Sequence, residues 1–135
     1  LIQHQHELSE WIYKNVSHER ISIMDVDALV CFYKHPDKPL VNIEYKNQGE
    51  RIRPTQWFNL PRLEEDHNIP YLIIRTIGES VSIERLTTYC NTIQCAIVSR
   101  QDLKIMLEDY DKFAGIYKLA KTKQHEYFRA SKQNS

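Results

Sequence analysis

At 135 residues, 41% apolar and 27% charged, the chain is predicted to form one domain with a hydrophobic core, outside the disordered range. Three glycines and five prolines exclude long Gly-rich linkers and Gly-rich phosphate loops, and neither a G-x-G-x-x-G nor a Walker-type loop occurs. Eighteen basic side chains balance eighteen acidic ones, which argues against a bulk nucleic-acid coat but not against a local basic groove.

In chain order, residues 3–16 read as a helix, with Leu8, Trp11, Ile12 and Val16 on one face. Residues 21–34, ISIMDVDALVCFYK, are β-branched and alternating, and read as one long strand or two joined by a kink. His35-Pro36-Asp37-Lys38-Pro39 is turn chemistry, and residues 40–46, LVNIEYK, form a second strand antiparallel to the first. Pro54 or Thr55 opens a helix to about Glu65, striped by Trp57, Leu60 and Leu63. Pro61 should kink that helix or end it early. Asn68 and Pro70 mark a loop, followed by the buried-looking strand YLIIRTIG, which Gly78 ends. Residues 81–86 and 93–98 read as two further strands, Asp102–Tyr110 as a helix, and Asp111–Phe128 as a last helix. Residues 129–135 read as a disordered tail, so one domain is expected over 1–128. The fold class is α/β, a central mixed β-sheet flanked by helices.

Charge is segregated along the chain. From Lys112 onward, Lys112, Lys118, Lys121, Lys123, Arg129 and Lys132 face the single acid Glu126. Three cysteines form no framework, and an odd count without a secretory signal points to a reducing, cytoplasmic setting. Cys90-x4-Cys95 would bind zinc only with two more ligands, and nothing ties His4 or His6 to it. No apolar run approaches the ~20 residues of a membrane span. The chain starts at Leu1, which suggests a native start further upstream.

The chemistry concentrates in the hairpin. Centred between Pro36 and Asp37, it would set Asp27 across from Lys46 and Leu29 across from Glu44. Asp25, Asp27, Glu44 and Lys46 would then crowd one end of one face, while Val26, Ala28, Val30, Phe32, Ile43 and Tyr45 form the apolar face. A one-residue slip would destroy the arrangement. Converging carboxylates repel unless a cation separates them, and hard divalent cations take such oxygen ligands. A neighbouring lysine can orient a water or stabilise developing negative charge. The same residues also fit an exposed cross-strand charge ladder contributing only ~0.2–1 kcal/mol per pair.

Asp27 followed by Glu44-Tyr45-Lys46, with apolar ALV after the first acid and VNI before the second, resembles the signature of the PD-(D/E)XK nuclease superfamily. Gln56 at the start of the following helix also fits, and the resemblance covers about residues 7–77. Val26 stands where a proline usually precedes the Asp, which lowers specificity. The resemblance implies a restriction-endonuclease-like core and a magnesium-dependent nuclease acting on DNA, an endonuclease, with manganese able to substitute. By that analogy Asp27, Glu44 and the Tyr45 backbone carbonyl bind metal, with Asp25 as the alternative to Asp27 and Glu7 as the helix acid. Lys46 would position the attacking water, and Gln56 would touch the site or the phosphate backbone. Arg51 and Arg53 would clamp phosphates or merely solvate a loop; Lys118 and Lys121, on the basic helix, would track a backbone or form a solvated face. Two other readings stand beside this one: a module of the same fold that grips nucleic acid without cleaving it, or cleaves RNA, and a structural α/β interaction domain. Many such nucleases act as homodimers, though no interface is visible in the sequence.

Overall fold

The computed structural model describes residues 26–32 and 34–133, together with Trp11, Lys14 and Asn15. Five strands form one sheet in the order β1 (Ala28–Val30), β2 (Val41–Lys46), β3 (Tyr71–Ile77), β4 (Ser80–Leu86) and β5 (Thr92–Ser99). Among the described residues, helices α1 (Pro54–His67), α2 (Arg100–Glu108) and α3 (Tyr110–Gln133) flank it. β2 and β3 are parallel and joined through α1, whereas the other neighbours are antiparallel, so the sheet is mixed. The expected α/β class with a mixed sheet therefore holds at this level.

Burial follows the strand period of two. Val41 and Ile43 point into a core shared with Leu72, Ile74, Phe113 and Ala120, beneath α2 and α3. The alternate residues face α1, where Ile52, Leu60, Tyr71, Ile73 and Leu86 form a second core. Central strand β3 is buried on both faces over Tyr71–Ile74, which explains its unbroken apolar run. Gly78, at φ 57°, supplies the left-handed residue of the short β3–β4 turn.

Three boundaries differ from expectation. Helix α1 runs through Pro61 to His67, because a proline removes one helical bond while Leu60 stays fully buried beside it. The helix ends at Asn68, which is left-handed at φ 54°, with the Ile69 N–H bonded to the Leu63 carbonyl at 3.1 Å. Ser99 rather than a later residue caps α2, accepting from the Asp102 N–H at 3.0 Å. Helix α3 continues past Phe128 to Gln133. Most of the helix expected over 3–16 and the start of the strand expected over 21–34 lie outside the described residues; what is described of that strand is Ala28–Val30.

The hairpin register departs from the symmetric estimate. Ala28 pairs with Ile43, Leu29 with Asn42 and Val30 with Val41, a shift of two residues. An even shift keeps each side chain on its expected face. Its effect is to set Asp27 at the level of Glu44 instead of Lys46.

A buried ion pair ties the layers together. Arg85 on β4 donates two bonds to Glu64 on α1, at 2.7 and 2.8 Å, and one to Gln124 on α3 at 3.0 Å. The Tyr117 hydroxyl also donates to Glu64, at 2.6 Å. Burial pushes the Glu64 carboxyl up, but the Arg85 bonds and charge outweigh it, and the group titrates below its ordinary range. Among the described residues no helix is long and apolar enough to cross a membrane.

Candidate functional site

Strand β2 places Asn42, Glu44 and Lys46 on the α1 face, and all three side chains are buried. Charged groups inside a protein need partners. Gln56, in the first turn of α1, supplies several. Its Nε2 donates to Glu44 Oε2 at 3.0 Å, while its Oε1 accepts from Lys46 Nζ at 2.9 Å and from the Arg53 N–H at 3.1 Å. One amide thus bridges an acid and a base and fixes the start of its own helix. Lys46 completes its set with Glu50 at 3.3 Å.

Asp27 reaches the same end of the sheet from β1. Its Oδ2 accepts from the Tyr45 N–H at 2.7 Å, and its carboxylate faces Glu44. Burial first, then the Asp27 charge and a carboxyl–carboxylate hydrogen bond, push Glu44 up from 4.5 to about 7, against the pull of Lys46. With both groups ionised, the fully buried Glu44 Oε1 has no partner among the described residues. Glu50 shifts the other way: the Asn47 N–H bonds it at 3.1 Å, and Lys46 adds its charge, so it stays below the ordinary carboxylate range.

The loop leaving β2 is braced from below. Arg75 on β3 donates to the carbonyls of Asn47 at 2.8 Å and Glu50 at 2.5 Å. Its Nε meets both Glu84 oxygens, at 3.0 and 3.1 Å, and Ser82 and Thr92 hydroxyls donate to Glu84 at 2.7 Å each. Arg51 and Arg53, carried by this loop, are exposed and form no salt bridge among the described residues.

The structure brings Asp27, Glu44, Tyr45, Lys46 and Gln56 to one end of the sheet. Lys118 and Lys121 are carried on α3, which covers the opposite sheet face, so they do not share this site. Glu7 and Asp25 lie outside the described residues. Sequence reasoning missed Glu50, Arg75 and Glu84. Arg75 did carry a signal, as a lone charge inside the apolar run YLIIRTI.

The metal-dependent reading is corrected. Among the described residues, no group of three or more His, Cys, Asp or Glu could hold a metal ion. Asp27 and Glu44 meet as a pair, Asp27 spends one oxygen on the Tyr45 N–H, and Glu50 and Glu84 are taken by Lys46 and Arg75. The expected magnesium or manganese cofactor, and with it the hydrolytic deoxyribonuclease activity, loses its support. The Asp27 charge pushes the Glu44 carboxyl up and the Lys46 charge pulls it down. No family model, characterised protein or solved structure matches the chain.

Proposed function

We propose that the chain is a nucleic-acid-binding module with a restriction-endonuclease-like core, forming one domain, which grips a phosphate backbone without metal-dependent cleavage. The resemblance of Asp27, Glu44-Tyr45-Lys46 and Gln56 to the superfamily pattern supports the fold. The observation that carries the binding reading is the braced loop, which presents Arg51 and Arg53 to solvent with no carboxylate pairing either of them among the described residues. Lys46 and Arg75 hold the two adjacent acids, Glu50 and Glu84; the Arg53 charge also acts on Glu50, and neither loop arginine is tied in a salt bridge among the described residues. Guanidinium forks match phosphate oxygens in planar, paired geometry. The network beneath them is a support: it fixes the loop before a ligand arrives, which lowers the ordering cost of binding.

Fluorescence anisotropy with labelled DNA and RNA across a salt series tests this. Binding should weaken linearly in log–log form as salt rises. Replacing Arg51 or Arg53 by Ala should lower affinity and reduce the slope by about one for each phosphate left without its guanidinium. Absence of binding at low salt refutes the proposal, as does unchanged affinity in the double variant. Cleavage of the probe would overturn the binding-only reading.

A further inference from the structure

Beside the braced loop lies an open cleft of about 390 Å³, lined by Arg51, Ile52, Arg75, Cys90, Asn91 and Gln94 among others. Its far wall is the β4–β5 turn. That turn is held by Thr87 N–H to Asn91 O at 2.9 Å and Asn91 N–H to Thr88 O at 2.8 Å. Cys90 sits in it at φ 60°, a conformation that costs a non-glycine residue free energy. The strained residue is itself buried and leaves the preceding Tyr89 59% exposed. The Tyr89 ring stands edge-on to Trp57, centroids 5.2 Å apart, and Trp57 is anchored by its indole N–H to the Thr87 carbonyl at 3.1 Å. An exposed aromatic ring, braced against Trp57, thus immediately precedes the cleft-lining Cys90.

The cleft's own charges are settled. Arg75 and Glu84 form an ion pair in its floor, and Glu50 is tied to Lys46 and the Asn47 N–H. What remains is the uncommitted Arg51, the Gln94 amide, which bonds to nothing among the described residues, and the Asn91 amide, which makes one long bond of 3.4 Å to Thr88. Side-chain amides offer a donor and an acceptor side by side, the pattern of a nucleobase edge. A planar face, paired amides and a guanidinium correspond to the base, its edge and its phosphate.

We infer that this cleft holds an unpaired nucleotide. The base stacks on Tyr89, its edge meets Asn91 and Gln94, and Arg51 takes the adjoining phosphate. The inference rests on the nucleic-acid reading above and narrows it to single strands, because a base within a duplex cannot offer its face to Tyr89.

The test compares labelled single strands of roughly 12 nucleotides, in deoxyribose and ribose series, with abasic strands of equal length and charge. Strands with bases should bind about fivefold or more tightly than abasic ones, in at least one sugar series. Tyr89→Ala should abolish that preference and Tyr89→Phe should keep it, while Gln94→Ala should weaken it with folding unaffected by circular dichroism. Salt-dependent but equal binding of base-bearing and abasic strands overturns the cleft assignment and leaves the backbone-binding module standing. A base preference that survives Tyr89→Ala also overturns it. Failure to bind any strand or duplex removes both proposals together.

Discussion

Glu44→Gln gives the sharpest test of the carboxyl pair. In the folded protein Glu44 titrates near 7, against 4.5 when unperturbed. Between those values the folded chain holds a proton that the unfolded chain has released. Stability therefore falls as pH rises through this window; the Glu44 contribution is fully present below about 4.5 and lost above about 7. The shift corresponds to about 3 kcal/mol. Glutamine is neutral throughout, and its amide can donate toward Asp27 and accept from Gln56 as the protonated acid does. The variant should match the wild type near pH 4.5 and exceed it by about 3 kcal/mol at pH 8, roughly 10 °C in Tm for a domain of this size. Urea unfolding of both proteins from about pH 4.5 to 8 measures the difference curve, in which the histidines and other acids cancel. A difference that stays flat across the range, or that grows toward low pH, would refute the upward push on Glu44.

Other outcomes follow from the packing. Arg85→Ala leaves Glu64 buried without its cation and should cost about 3 kcal/mol or more; a urea midpoint showing under half that loss would mean that water reaches the pair. Lys46→Met takes a donor from Gln56 and Glu50, so amide hydrogen exchange in residues 47–53 should quicken well before global stability fails. Asn68→Ala removes the short amide that eases the left-handed helix end and should destabilise by about 1 kcal/mol, whereas Asn68→Gly should be neutral or stabilising in thermal unfolding.

The fold was legible where period and punctuation agree. Strand β3 announced itself as an unbroken apolar run, and Gly78 marked its end. Helix α1 was found by Pro54 and its apolar stripe. Its true length was not, because the penalty assigned to Pro61 is local, whereas burial of Leu60 against the sheet is tertiary. Ser99 carries no separate cap signal, because it is also the last residue of β5 and a strand residue that doubles as an N-cap reads as strand.

The site shows where reading a sequence stops being sufficient. Residue parity is fixed by the strand period, so Asp27, Glu44 and Lys46 could be placed on one face without knowing the turn. Register cannot be obtained that way: it depends on how residues 31–40 pack, and Phe32 folds into the core against Tyr110 and Phe113 instead of extending the strand. That packing moves the pairing by two residues and sets Asp27 beside the acid in place of the lysine. The consequence is chemical. Beside Glu44, the Asp27 carboxylate adds a second negative charge that helps to push the Glu44 carboxyl up, and the lysine turns to Gln56 and Glu50. Aromatic rings on α3, remote from the hairpin in the chain, thus hold the segment that leaves β1.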